Sequence, residues 1–423
     1  MSRIESRPPK VQHRCVLWCT NRLRYRSRWT SSPAAKPSSH DPVSPFSWLN
    51  VETTGPRIIG TYRLLLIVLI LLYYSVFTAV TVSLTTVFQH VAHGPWVSAS
   101  ASTIRVVALL AIATVMIALA LQLWRGILGL VTRMHDGSDD VGSGVVLARN
   151  QCPDLYRTVA EVGTGIGAPL PAEIRVTDRA ECYVCEERKF GVRTQRRLIL
   201  VLGLPHLAVL SVAELKAILA HELAHFRSGD TTFGVFIYRF LESLRVAQQT
   251  RQHRWRSWAD PVYWISKATF HLFLVMVTPI RQYQELRADC TSASYCGGEL
   301  AARTLLKEWL LSHQFDAAAA EFHQRQQDNA PCAEPNAFHY FTARWREFSV
   351  AGCDYLERRL SEEERPGYLD SHPTTQARLA MMRRFPSRKT RFTIPARCLL
   401  NDFSAVEQQL YEPCDSRAVS SRP

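Results

Sequence analysis

His221-Glu222-Leu223-Ala224-His225 sets two imidazoles four residues apart with a carboxylate between them. On a helix an i, i+4 pair shares one face, so both rings can bind one metal ion, and Glu222 can reach a water on that ion as general base. The chemistry of such a set is hydrolysis. The pattern arises by chance in on the order of 2% of chains of this length and His content, so its surroundings matter. Ala220, Leu223, Ala224 and Phe226 are uncharged, as a partly buried centre requires.

A catalytic tetrahedral metal needs a third protein ligand and an open fourth position. Downstream, Glu285 and Asp289 are again i, i+4 neighbours. Glu285 is the expected third ligand, and Asp289 the carboxylate that orients a ligating imidazole. A third element, Ser371-His372-Pro373-Thr374-Thr375-Gln376-Ala377-Arg378, could place His372 or Arg378 over the metal to stabilise an oxyanion.

These residues need helices to hold them. Ser211-Val212-Ala213-Glu214 has capping-box spacing, which predicts a helix from Val212, with Leu215, Ile218, Leu219 and Leu223 on its apolar face and Gly229 as a stop. Pro279 suits the first turn of a helix through Glu285 and Asp289 that stops near Gly297-Gly298, and Pro373 opens a helix with Arg378 on its second turn. Before them, a helix around Pro153 to Gly165 and short strands near Ala172 to Val176 and Arg197 to Gly203 complete an α+β, mainly helical domain. There is no internal repeat.

The ordered set His221-Glu222-x-x-His225 with Asp230 beyond it, Glu285-x-x-x-Asp289, and His372-Pro373-x-x-x-x-Arg378 resembles the membrane zinc metallopeptidases of the HtpX and CAAX prenyl protease type, over roughly residues 146–385. The resemblance implies a gluzincin fold with a small edge β-sheet that takes extended peptide by strand addition. It implies one Zn2+ per chain on His221, His225 and Glu285, Glu222 as catalytic base, Asp289 behind the ligands, and His372 and Arg378 as substrate or oxyanion contacts. One departure concerns the chain between the first two motifs, where such proteins usually have two transmembrane helices. Here Thr231 to Val246 includes Arg239, Glu242 and Arg245, and only Ala268 to Ile280 is strongly apolar, about 13 residues and too short to span. Because His221 and Glu285 must meet on one side of a membrane, that stretch crosses an even number of times. Helices at the interface or over the cleft are expected.

Two earlier runs are long enough to span. Leu64 to Val87 and Val106 to Trp124 would make helices of about 36 and 28 Å, against a hydrocarbon core of about 30 Å. The loop from Phe88 to Thr103 has no Lys or Arg, whereas Arg57 and Arg63 precede the first run and Arg125 and Arg133 follow the second. The positive-inside bias puts both termini in the cytosol.

Charge agrees with that placement. The 423 residues carry 50 Lys+Arg and 37 Asp+Glu, a formal +13, and residues 1–57 hold 10 basic and 3 acidic side chains, so +7 of it lies in that segment. A basic stretch beside an apolar span points to an anionic leaflet, and no motif for nucleic acid accompanies it. With 47% apolar residues the chain is not wholly disordered. Eleven cysteines without regular spacing indicate a reducing compartment, and Cys182-x-x-Cys185 is read as two ordinary thiols.

The expected organisation is a disordered basic tail (1–57), a two-helix transmembrane hairpin (58–130, spans about 64–87 and 106–124), a metallopeptidase domain (131–385) and a C-terminal tail (386–423). The expected function is zinc-dependent endoproteolysis at the cytosolic face of the plasma (inner) membrane, in membrane-protein quality control or processing. Peptide or protein substrates and the bilayer are its partners. A catalytically silent zinc-stabilised scaffold and a CAAX-type prenyl peptide protease are the alternatives.

Overall fold

The computed structural model describes residues 55–93, 144–189, 195–227, 261–345, 372–388 and 394–411, with single positions within 106–113, within 237–245 and at 360. Helix α1 spans Gly55–His93, so residues 55–57 form its first turn and residues 88–93, expected in a loop, continue it. Its stretch Gly60–His90 is the one helix among the described residues long and apolar enough to cross a membrane. Most of Val106 to Trp124 lies outside the described residues, as do residues 1–54, Gly229 and Asp230, so the second arm of the expected hairpin is not seen.

A four-stranded sheet follows: β1 (Val145–Leu147), β2 (Glu173–Thr177), β3 (Cys182–Lys189) and β4 (Gln195–Gly203), in spatial order β1-β2-β4-β3. β2 and β4 are parallel; β1 and β3 pair antiparallel on the outside. Successive side chains on a strand alternate faces, so Cys182 and Cys185, three apart, point opposite ways. Cys182 joins the main core and Cys185 packs with Ile199 and Val201 on the other face. This pair therefore shares no ligand, and both are free thiols.

The helices on the sheet are α2 (Pro153–Ile166), α3 (Leu204–Val209), α4 (Val212–Arg227), α5 (Pro261–Cys296), α6 (Gly298–Gln327), α7 (Ala337–Trp345), α8 (Thr375–Met382) and α9 (Phe403–Tyr411). α4 starts where the capping box predicts. Ser211 N–H donates to Glu214 Oε2 at 2.8 Å, and Glu214 N–H donates to Ser211 Oγ at 3.3 Å. Lys307 of α6 grips the same carboxylate at 2.8 and 3.0 Å. Leu215, Leu219, Ala220 and Leu223 of α4 are fully buried, so cap and apolar face together fix the helix. Ser211→Ala should cost about 1 kcal/mol of stability, read as a lowered Tm; an unchanged Tm would show that α6 alone holds this end.

Pro279 does not begin a helix. It lies inside α5, a 36-residue helix, where its missing N–H leaves the carbonyl of Val275 without an intrahelical donor. Packing on both sides outweighs that loss. Phe273, Val277, Ile280 and Tyr283 of α5 are buried with Leu66, Ile70 and Tyr73 of α1 and with Ile237, Phe240, Leu241 and Leu244. Ala268 to Ile280 is thus part of a longer helix bound to α1 rather than a short separate segment. Glycine permits the exit from α5: Gly297 has φ +98°, and a Cβ on Gly298 would meet the Met382 carbonyl oxygen at 2.2 Å.

The expected C-terminal tail also differs. Ile394 accepts from Val212 N–H at 2.7 Å, Ala396 N–H donates to Leu210 at 2.8 Å, and Ala396, Leu399, Leu400 and Val406 join the main core. Residues 394–411 are therefore an integral part of the domain that holds the first turn of α4.

Candidate metal centre

α4 and α5 pack side by side, with Ser292 Oγ of α5 donating to the Ala217 carbonyl of α4 at 2.8 Å in the buried seam. This contact brings the stripe 221/225 against the stripe 285/289. His221, His225 and Glu285 each turn one ligand atom into a space within which those atoms lie no more than 4.8 Å apart. The two Nε2 atoms are 3.3 Å apart. Glu285 offers Oε2 at 3.6 Å from His221 Nε2 and Oε1 at 3.8 Å from His225 Nε2.

A tetrahedral ion held about 2.0–2.1 Å from each of two imidazole nitrogens sets them about 3.3–3.4 Å apart. The His221–His225 separation fits that figure, and the carboxylate lies slightly wide of it. The donor set, two nitrogens and one oxygen, suits a borderline divalent ion with one coordination position left for a reactant.

The flanking groups orient these donors. Asp289, fully buried, places Oδ1 3.0 Å from His221 Nδ1. That bond fixes the proton on Nδ1 and turns Nε2 toward the centre. Desolvation pulls the His221 pKa down, but Asp289 and Glu285 outweigh it and push it up to about 10. Burial raises both carboxyls as well, yet the Glu285 carboxyl is held well below its ordinary range by His372, His221 and Arg378, and that of Asp289 is lowered by Arg378 and His221.

Glu222 lies on the same helix, half-buried between the two histidines in sequence. Desolvation pushes its carboxyl up to about 8, with Glu285 and Glu308 adding to the rise and His221 and Arg378 opposing it. A cation in the centre acts in the same sense as His221 and lowers it. Glu308, on α6, was not singled out in the sequence; it shares no spacing with the motif and reaches its surroundings only through the packing of α6 on α4.

The third element meets the first two, though not as expected. His372 stands partly exposed at the rim, its Nδ1 3.2 Å from Glu285 Oε2. The helix after it opens at Thr375, capped by Thr374, whose side chain accepts from Ala377 N–H at 3.2 Å; Pro373 precedes that cap. Arg378, expected as a substrate or oxyanion contact, is turned toward the carboxylates behind the centre. Its Nε and Nη2 donate to the two oxygens of Asp289, both at 2.7 Å, and Nη2 also lies 3.4 Å from Glu285 Oε2. The physical reason is charge: without a cationic partner, Asp289 would be a carboxylate buried at considerable cost.

Residues 153–385 match the family model described as Peptidase family M48. No curated protein and no solved structure matches the chain.

Proposed function

The chain belongs to peptidase family M48, whose model covers more than half of it, and from that membership we propose that it is a membrane-anchored zinc metalloendopeptidase facing the cytosol. The observation that carries this reading is the convergence of His221, His225 and Glu285 beside an intact Glu222. A purely structural metal site needs no base next to its ligands.

Zinc, when bound, would polarise a scissile carbonyl and lower the pKa of water in its open position. His221, His225 and Glu285 would hold it. Glu222 accepts a proton from the attacking water and passes it to the leaving amine; a carboxyl pushed up toward neutral pH suits both steps better than one in solvent. His372, 40% exposed at the rim beside Glu285, is the imidazole placed to meet substrate. Extended peptide fits along β3, which pairs with β4 on one side and is the longer of the sheet's two edge strands.

Anchoring rests on α1. Leu64, Leu65, Ile67, Val68, Leu71 and Leu72 are exposed on it, a larger apolar surface than water tolerates, and hydrocarbon is the environment that suits it. The absence of Lys and Arg from Phe88 to Thr103 favours a cytosolic catalytic domain. Substrates are then membrane or misfolded polypeptides.

The test is metal analysis of the full chain in detergent, with cleavage of an unfolded substrate before and after chelation. About one zinc per chain and cleavage that chelator abolishes and zinc restores are expected. Absence of metal would overturn the reading, and bound zinc without turnover would make the protein a scaffold.

A further inference from the structure

We propose that Arg378 is a positioning residue that acts on the metal centre through Asp289, so that α8 governs metal affinity from outside the ligand set. This inference rests on the metallopeptidase reading above. The chain of contacts runs in one direction. Arg378 clamps both oxygens of Asp289 at 2.7 Å, Asp289 holds His221 Nδ1 at 3.0 Å, and His221 presents Nε2 to the centre.

A two-pronged guanidinium–carboxylate contact fixes the plane of the carboxylate as well as its place. A single bond from His221 could leave Asp289 free to turn about its side-chain torsions; the fork removes that freedom. Asp289 is fully buried and the Arg378 side chain is 12% exposed, so neither is competed for by water. Lysine, with one compact ammonium, can balance the charge but cannot match both oxygens. Arg378 is 89 residues from Asp289 in sequence. The orientation of a ligand on α4 thus depends on a helix that supplies no ligand.

Arg378→Ala should weaken metal binding by about 10–100-fold, the usual effect of removing a group behind a ligand. Co2+ and Zn2+ affinities of the full chain in detergent, measured by chelator competition, give the first readout. The visible spectrum of the Co2+-loaded protein gives the second, and a shifted spectrum is expected because the His221 ring turns. The loss in kcat at saturating metal should be smaller than the loss in affinity. Asp289→Ala should weaken binding to a similar extent, and the double variant no further, since both act through one contact.

Arg378→Lys keeps the charge and guards against a folding defect, with the Tm of each variant recorded alongside. It should weaken binding several-fold and shift the spectrum part of the way. Unchanged affinity and spectrum in Arg378→Ala or Arg378→Lys, with kcat alone reduced, would make Arg378 an oxyanion contact and overturn the inference. Additive losses in the double variant would also overturn it. If the wild-type chain binds neither ion, the metallopeptidase reading itself fails and this inference with it; normal wild-type binding with indifferent variants sinks only the role of Arg378.

Discussion

Glu222→Gln is expected to keep its metal and lose proteolysis, with kcat reduced by about 10²–10⁴-fold, the share that a positioned general base contributes. Glutamine has the shape of glutamate and can still accept a hydrogen bond. It cannot take up a proton. His221, His225 and Glu285 make their mutual contacts without Glu222, so metal stoichiometry should stay at the wild-type value. The pH dependence gives a second check. A base works when deprotonated, so wild-type kcat/KM should rise with pH through the pKa of Glu222. That value is about 8 in the metal-free protein, where burial dominates. A bound cation lowers it, so the rising limb should fall below pH 8 and be missing from the residual activity of the variant. Wild-type turnover in Glu222→Gln would place the base elsewhere.

The second large effect is expected at Glu285, where nitrogens of three side chains meet. His221 Nε2, His372 Nδ1 and Arg378 Nη2 all face Oε2, at 3.6, 3.2 and 3.4 Å. Glu285→Gln should abolish metal binding, and with it detectable cleavage. It should also destabilise the metal-free protein by about 3 kcal/mol, the low end of the range for breaking a buried ion pair, because His221 and Arg378 retain Asp289. The sign with pH follows from the direction of the shift. The Glu285 carboxyl is held below its ordinary 4.5, so its stabilisation is present above that pH and is lost as pH falls through the native value. The gap in Tm between wild type and variant should therefore be widest near neutrality and close in acid. A gap independent of pH, or a variant that still binds metal, would show that Glu285 is neither a ligand nor the hub of these charges.

What the sequence made legible was local. Ser211 and Glu214 are three residues apart, His221 and His225 four, Glu285 and Asp289 four, and each relation is closed within a single helix. β2 and β4 were visible, β4 because Leu198 to Leu202 is rich in branched apolar residues, whereas the three-residue β1 was not. Relations between distant parts of the chain were not visible. Nothing near Arg378 indicates that its partner is Asp289 rather than a substrate, and nothing near Ile394 indicates that its carbonyl caps residue 212. Pro279 misled for a related reason: a proline is a reliable helix start only when tertiary packing does not outweigh its cost, and here Phe273 and Val277 before it and Ile280 and Tyr283 after it are buried in one cluster with α1.

That same helix has a mechanical consequence. Phe273, whose ring lies against Phe240 with centroids 4.8 Å apart and planes tilted by 48°, and Glu285 are joined by the single helix α5, 12 residues apart, or about 18 Å of axial rise. Over such a lever arm, a tilt of about 5° at the aromatic contact carries Glu285 sideways by about 1.6 Å and Asp289, one turn further on, by about 2 Å, while the histidines of α4 stay with the sheet. A displacement of that size separates the carboxylates from their imidazoles without unfolding either helix. Whatever sets the pitch of α5 against α1 therefore also sets how well the three candidate ligand atoms converge.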